Sequence, residues 1–300
     1  MLRWRLFSAA ILIAVLLTLV VLDFQQIGGT RPGAWLLPIC LLLTWFGSAE
    51  LLGLLAARNL HPARWPVYGG SMSVVLAAAL PIFVGPLPAD CPVGELGVPL
   101  CALALSICAT FVGEMLRYKE PGGCAERIAL SVLIISYIGL LMSFIVELRL
   151  FNSNGWGMAA LVSTILVTKM CDTGAYFCGR IFGRHKMTPL LSPKKTFEGA
   201  VGGIAFSIFA SWFFFAIVLP NLLVSNAEPT AWWCWLVYGA VLSVAGMIGD
   251  LAESLLKRDM GCKDSSHVLP GLGGVLDVID SLLFAAPAAF LCWAGGLVGP

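Results

Sequence analysis

The sequence predicts an all-α, polytopic membrane protein with about nine transmembrane helices, its N-terminus inside the cell and its C-terminus outside. Three observations support this prediction. Of the 300 residues, 59% are hydrophobic and only 12% are charged, with a mean hydropathy of +0.92, whereas soluble proteins carry about 25% charged residues. Apolar runs long enough to span a bilayer, about 20 residues each, recur along the whole chain. The basic residues also fall almost entirely on one side of these runs.

The individual helices follow from apolar runs that end at polar or Pro/Gly-rich interruptions. In chain order the runs cover 6–22, 34–56, 66–86, 97–116, 128–148, 157–179, 199–222, 232–255 and 275–298. The first run is too long for a signal peptide and lacks a small-residue cleavage site, so we expect it to remain as a helix. The connecting segments are short and show no repeat. We therefore expect a single membrane domain, with generic spanning helices over 1–125 and the chemistry-bearing motifs over 126–300.

The distribution of basic residues predicts the orientation, because Lys and Arg accumulate in cytoplasmic loops. With the N-terminus in the cytoplasm, fifteen of the 18 Lys and Arg residues lie inside, and only Arg31 and Arg149 lie outside. The remaining one, Lys169, falls within a helix. The two strongly polar segments, 180–198 and 257–274, then both face the cytoplasm, where nucleotides are available.

Several carboxylates interrupt the apolar runs, and charges at membrane depth normally face the interior of the bundle and serve a function. Asp172 and Asp250 lie within predicted helices, whereas Asp277 and Asp280 open the last helix on one face, three residues apart. Two interpretations of this last pair stay open. One is an acidic helix start stabilised by the helix dipole. The other is a site for Mg²⁺, which Asp250 would complete. The remaining membrane acids, expected to reach the interface from helix ends, are Glu50, Glu114, Glu147 and Glu253.

A basic segment precedes the seventh predicted helix. It runs from Leu191 to Gly199 and contains two lysines, with hydroxyls at Ser192 and Thr196. A helix N-terminus with adjacent lysines is a plausible cradle for phosphate groups. The same pattern also suits a loop that touches anionic lipid head groups, and the pattern alone does not separate these two interpretations.

The segment from Ser254 to Ser281 reads S-L-L-K-R-D-M-G-C-K-D-S-S-H-V-L-P-G-L-G-G-V-L-D-V-I-D-S. Its order and spacing resemble the C-terminal signature of the phosphatidate cytidylyltransferase (CDP-diacylglycerol synthase) family. The stretch from Asp172 through S-P-K-K-T-F-E-G to Gly199 is also similar to that family, and Tyr137-Ile138-Gly139 fits more weakly. Two positions depart from the pattern: Leu272 stands where the family has His, and Val278 where it has Arg.

The resemblance implies transfer of CMP from CTP to phosphatidic acid, giving CDP-diacylglycerol and pyrophosphate for phospholipid biosynthesis in the inner (plasma) membrane. The implied catalytic residues are Asp172, Lys195, Asp250, Lys263, Asp264, Asp277 and Asp280. The implied phosphate-binding residues are Ser192, Lys194, Lys195, Thr196, Lys257, Arg258 and Lys263. Mg²⁺ would be held by Asp250, Asp277 and Asp280, and a second, monovalent cation such as K⁺ stays open. The expected partners are CTP, phosphatidic acid and the bilayer, with a homodimer left open and no nucleic acid.

Three alternatives compete with this function. A CTP-dependent lipid kinase of the polyprenol or phytol type would use similar residues but would release CDP instead of pyrophosphate. An ion-coupled transporter would use the membrane acids for coupling, but such proteins often show paired repeats, and this chain has none. A degenerate, noncatalytic family member would explain the departures at Leu272 and Val278.

Overall fold

The structure is a computed structural model that describes residues 2–86, 88, 91–225, 227–262, 266 and 273–300. Its helices are α1 (Leu2–Phe24), α2 (Leu37–Ala56), α3 (Arg64–Ala78), α4 (Leu80–Val84), α5 (Gly94–Arg117), α6 (Cys124–Ile134), α7 (Leu141–Leu150), α8 (Asn154–Phe182), α9 (Phe197–Phe213), α10 (Trp232–Asp259) and α11 (Leu276–Ala294). Two π-helical segments, Ile135–Leu140 and Phe214–Leu223, continue α6 into α7 and extend α9. The helical class is confirmed.

The described residues also contain a short β-hairpin, which the helical prediction does not include. Strands β1 (Lys186–Thr188) and β2 (Ser192–Thr196) pair antiparallel, with Lys186 opposite Thr196 and Thr188 opposite Ser192. The hairpin leads directly into α9, whose first turn is capped by Thr196: its Oγ1 accepts a hydrogen bond from the Gly199 amide at 3.1 Å. The sequence expectation that Thr196 begins a helix is confirmed.

The chain forms two compact units, of which the first comprises Met1–Glu147 and Asp259–Val278. Within it, glycines bring helices together. A Cβ added at Gly113 of α5 would lie 2.8 Å from Pro66 of α3, and one at Gly139 of the π-helical segment would lie 2.8 Å from the Ser71 backbone. Helices in lipid gain little from the hydrophobic effect against each other, so close packing at small residues holds them together.

The second unit comprises Leu148–Arg258 and Ile279–Pro300. Glycines again form the contact between α8 and α9: a Cβ at Gly174 would lie 2.6 Å from Phe206. The unit is also held by Tyr238 of α10, which is fully buried. Its hydroxyl lies 2.9 Å from Ser163 Oγ and accepts a hydrogen bond from the indole of Trp293 at 3.3 Å.

Six helices of the described residues are long and apolar enough to cross a membrane, which supports a multi-pass membrane protein. These are Leu37–Ala56, Leu96–Arg117, Cys124–Leu150, Phe197–Leu223, Trp232–Asp259 and Leu276–Ala294. The other three predicted spans coincide with α1, the α3–α4 pair and α8. The α3–α4 pair is interrupted after Ala78, just before Pro81, and α8 carries several charges. The count of nine therefore stays a prediction.

Candidate active site

Three acidic side chains of the second unit converge: Asp250 and Glu253 from α10, and Asp280 from α11. One carboxylate oxygen of each lies within 4.8 Å of the others. Glu253 and Asp280 are 1% and 5% exposed, whereas Asp250 is partly open to solvent. Like charges at this separation repel, and more strongly where water is scarce. Nearby cations, or protonation of one carboxyl group, relieve this repulsion.

Two glycines of α10 explain why these acids meet. A Cβ added at Gly249 would lie 2.5 Å from the backbone oxygen of Asp280, so the backbones of α10 and α11 approach closely beside Asp250. One turn earlier, a Cβ at Gly246 would lie 3.2 Å from Thr168 of α8. The chain thus places its smallest residues where three helices crowd together. The carboxylate of Asp280 is fixed locally as well, since its Oδ1 accepts hydrogen bonds from the amide and hydroxyl of Ser281 at 2.5 and 3.0 Å.

Two lysines partly neutralise the cluster. The Lys195 ammonium lies 2.8 Å from Asp250, and its side chain is 20% exposed. Lys257 lies 3.0 Å from Glu253, one turn earlier on the same helix, and both of these side chains are buried. Among the described residues, the three acidic side chains of the cluster therefore meet the ammonium groups of these two lysines.

The β-hairpin fixes the position of Lys195. Lys195 is the second-last residue of β2. The residue after it, Thr196, pairs with β1 and also caps α9. Glu198 binds the two residues that precede β1. Its carboxylate accepts a hydrogen bond from the Arg184 amide at 3.1 Å and contacts His185 Nδ1 at 2.6 Å. At the tip of the hairpin, Arg258 donates to the Leu191 carbonyl at 3.2 Å. Arg258, predicted to bind phosphate, thus also connects α10 to the hairpin.

A second ion pair lies on α8. Lys169 contacts Asp172 at 3.2 Å, and the two side chains are 42% and 41% exposed. Asp172 belongs to the same compact unit as the acidic cluster but is not one of its three members.

The remaining predicted residues are placed as follows. In the hairpin, Lys194 is exposed and Ser192 is half-buried. Asp277 belongs to the first unit, where its Oδ2 accepts the Gly274 amide at 2.7 Å. Its sharing of one cation with Asp250 stays a prediction. Lys263, Asp264 and Leu272 lie outside the described residues, and Val278 is half-buried in the first turn of α11.

Sequence reasoning missed Glu253, which it assigned to the membrane interface. The signal was available: Glu253 follows Asp250 by three residues, the same spacing that placed Asp277 and Asp280 on one face of a helix. An apolar run does not reveal which face of a helix packs inward. Only the contact between α10 and α11 shows that Glu253 points into the bundle.

The donor set of the acidic cluster fits a hard divalent cation. Mg²⁺ prefers oxygen ligands and is typically bound by one or two carboxylates, with water and phosphate oxygens completing an octahedron. Asp250, Glu253 and Asp280 offer such oxygens, and Asp250 is open enough for a ligand to approach. The adjacent ammonium of Lys195 suits a phosphate group. Carboxylates and lysines arranged in this way can bind a metal ion and a polyphosphate together.

Comparison with known proteins identifies the family of the chain. The sequence profile of the Cytidylyltransferase family matches residues 3–294 of the chain. A phosphatidate cytidylyltransferase of Bacillus subtilis is 32% identical over 260 residues, 86% of this chain and 89% of that protein. Proteins of the same name from Staphylococcus saprophyticus and Staphylococcus haemolyticus are 38% and 36% identical. Their alignments cover 53% of this chain and only 56% of each relative.

Proposed function

Because the chain belongs to the Cytidylyltransferase family, we propose that it transfers CMP from CTP to phosphatidic acid and forms CDP-diacylglycerol and pyrophosphate. The observation that carries this proposal is the cluster of three carboxylates, Asp250, Glu253 and Asp280, with the ammonium of Lys195 at its edge. The names of the relatives support the same substrates.

The reaction joins a phosphate oxygen of phosphatidic acid to the α-phosphorus of CTP. The bond from that phosphorus to the bridging oxygen of the β-phosphate breaks, and pyrophosphate leaves with the electron pair. The attacking oxygen is already an anion near neutral pH, so no general base is needed. What the protein must supply is positioning and neutralisation of charge, as in phosphoryl transfer generally.

The residues of this chain divide these tasks. Lys195 is held by the hairpin beside Asp250, where it meets the phosphates of CTP. Ser192, Lys194 and Thr196 line the same strand and offer further donors, and Lys263 and Arg258 add positive charge. Lys257 holds Glu253 in place through their ion pair. Asp172 orients Lys169, and Asp264 is proposed for the same kind of role.

Mg²⁺ is the metal we propose for the site, and when bound it supplies charge neutralisation for the triphosphate. Asp250 and Asp280 are the proposed ligands within the second unit, together with Glu253. Asp277 is the further ligand that the family resemblance implies. A second, monovalent cation such as K⁺ rests on the resemblance alone, and so does a homodimer.

We also propose a finer membrane arrangement. It has nine spans, a cytoplasmic N-terminus and an external C-terminus, in the plasma membrane. Residues 1–125 form generic spans and 126–300 the catalytic region. The distribution of Lys and Arg supports this orientation. It brings both motif segments, 180–198 and 257–274, to the side where CTP is present.

Turnover of CTP labelled at the α-phosphate by purified protein tests the activity. With phosphatidic acid and Mg²⁺, we expect the label to enter the lipid fraction with release of one pyrophosphate per lipid product. We expect Asp250→Asn to lower turnover at least about 100-fold, since electrostatic groups at such sites contribute roughly 10²–10³ in rate. Asp259→Asn is the matched control, because Asp259 is exposed at the end of the same helix.

The products distinguish the alternatives. Release of CDP, with transfer of the γ-phosphate to a lipid, would establish the kinase instead. A folded wild-type protein without turnover of CTP on phosphatidic acid or on polyprenol would refute the proposed activity and favour a noncatalytic relative.

A further inference from the structure

The carboxylate of Glu50 is buried in the first unit, within a part of the chain that the sequence assigned to generic spans. Glu50 lies on α2 and is 5% exposed. Its Oε1 accepts a hydrogen bond from Ser266 Oγ at 2.6 Å and from the Val275 amide at 2.8 Å. Its Oε2 accepts the Leu276 amide at 2.9 Å. All four residues belong to the same compact unit.

Two of these contacts lie at the N-terminal end of α11, on Val275 just before the helix and on Leu276, its first residue. The leading amides of a helix have no partner within the helix, and in an apolar environment each unsatisfied amide costs several kcal/mol. Here three consecutive amides are bound by carboxylates: Gly274 by Asp277, and Val275 and Leu276 by Glu50. Negative charge at this end of a helix is also favoured by the helix dipole. The carboxylate of Glu50 therefore stabilises the start of α11.

We propose that Glu50 is a positioning residue for the metal-binding end of α11. This inference rests on the proposed function, because its purpose is to set the carboxylates of Asp277 and Asp280. Asp277 follows the Glu50-bound amide of Leu276 directly, and Asp280 lies one turn further along the same helix. A shift of the helix start would move both carboxylates. Mg²⁺ tolerates little such movement, because it requires near-ideal octahedral geometry.

The alternative is that Glu50 only stabilises the fold, as many buried carboxylates do. The two roles differ in what the residue controls. A purely structural carboxylate lowers stability when it is removed but leaves the metal requirement of the surviving folded protein unchanged. A positioning residue changes the metal requirement as well. Groups that support metal ligands from outside the coordination shell typically change metal affinity or activity by about 10–100-fold when replaced.

The experiment compares Glu50→Gln with Glu114→Gln. Glu114 is the matched control, since it is 3% exposed in the same unit, and its carboxylate accepts a hydrogen bond from Arg127 Nε at 2.6 Å. We expect Glu50→Gln to raise the Mg²⁺ concentration for half-maximal cytidylyl transfer by about tenfold, the lower end of that range. We expect Glu114→Gln to lower thermal stability without this shift.

A second measurement needs no turnover. Hydrogen–deuterium exchange of the peptide covering 273–281, with and without Mg²⁺ alone, reports directly on the amides that Glu50 binds. Glu50→Gln should accelerate exchange in this peptide and weaken its protection by Mg²⁺, whereas Glu114→Gln should do neither. If Glu50→Gln does not fold, Ser266→Ala removes one donor and keeps the carboxylate, and we expect a smaller shift in the same direction.

The outcomes separate the two proposals. An unchanged Mg²⁺ requirement and unchanged exchange at 273–281 in folded Glu50→Gln would overturn the positioning role while the cytidylyltransferase activity stands. A wild-type protein without turnover would refute the proposed function. The exchange comparison would then still decide whether Glu50 controls the start of α11 and its response to Mg²⁺.

Discussion

At the scale of single residues, the site depends on lysines and acids that neutralise each other in place. Lys195 contacts Asp250, and Lys257 contacts Glu253. Truncation of one partner at a buried pair leaves the other charge uncompensated, which typically costs 3–5 kcal/mol. That penalty applies to the buried Lys257–Glu253 pair. At the more open Lys195–Asp250 pair the cost to the fold is smaller, so substitutions there report on catalysis more cleanly.

We therefore expect Lys195→Met to lower turnover by roughly 10²–10³, because it removes the positive charge that we propose to lie beside the phosphates of CTP. Lys186→Met serves as its control, since Lys186 lies on the neighbouring strand but is exposed. Initial rates with labelled CTP and thermal melting of both variants provide the measurement. A Lys195→Met protein that is as active as Lys186→Met would remove Lys195 from the proposed site.

The sequence predicts the residues of the site unevenly. Asp250 and Asp280 are predicted from the sequence because charged groups inside apolar runs are conspicuous, and the structure brings both into the acidic cluster. Glu253 and Glu50 are equally conspicuous, but their places near helix ends predict side chains that reach the interface, whereas both are buried. Their burial depends on which helix faces which neighbour, and in helices this apolar the polar face is not marked by a pattern. That information becomes available only with the packed structure.

At the scale of elements, the glycines of α10 and the β1–β2 hairpin determine the geometry of the candidate site. The helix positions follow closely from the apolar runs, and Thr196 begins α9 as expected. The β-hairpin and the π-helical segments were not predicted. A three-residue strand is too short to show alternation in the sequence, and a π turn differs from an α turn by one residue per hydrogen bond. One π segment contains Tyr137-Ile138-Gly139, and its glycine packs on Ser71.

Gly249→Ala tests the close approach of α10 and α11. The new Cβ would lie 2.5 Å from the Asp280 backbone oxygen, so the helices must separate or strain. We expect a loss of about 1–3 kcal/mol in stability, as for other overpacked sites, and turnover lowered more than stability alone would explain. Gly53→Ala is the control: it lies in α2, with no atom within 4 Å of the added Cβ. Equal turnover in the two variants would contradict this account.

At the scale of the whole molecule, composition predicts a helical membrane protein. The number of spans and their orientation have to be measured. Six helices of the described residues meet the requirement for spanning. Helix α8 is not among these six helices, because charged residues such as Lys169 and Asp172 lower its hydropathy. These are also the residues that take part in the proposed site. A polar helix of this kind is better tolerated in a membrane when its charges pair, as Lys169 and Asp172 do.

We expect Lys195 and Lys263 to lie on the cytoplasmic side and Pro300 on the opposite side, as the distribution of basic residues predicts. Single cysteines at these positions, in a variant lacking the ten native cysteines, can be labelled with a membrane-impermeant maleimide in right-side-out vesicles. Only the cysteine at position 300 should react before the vesicles are opened. Equal labelling at all three positions would contradict the nine-span arrangement.

The ion pair of Lys195 with Asp250 has an entropic consequence for binding. A free lysine side chain loses about 1.5–2 kcal/mol of rotamer freedom when it is immobilised. Here most of that loss is incurred during folding, because the backbone is fixed by the hairpin and by the cap of α9, and the ammonium is already held 2.8 Å from a carboxylate. A triphosphate that binds here then contacts a lysine side chain that is already ordered, so binding does not have to order it. Since each 1.4 kcal/mol corresponds to a factor of ten in affinity, a saving of this size is worth about one order of magnitude in the proposed binding of CTP.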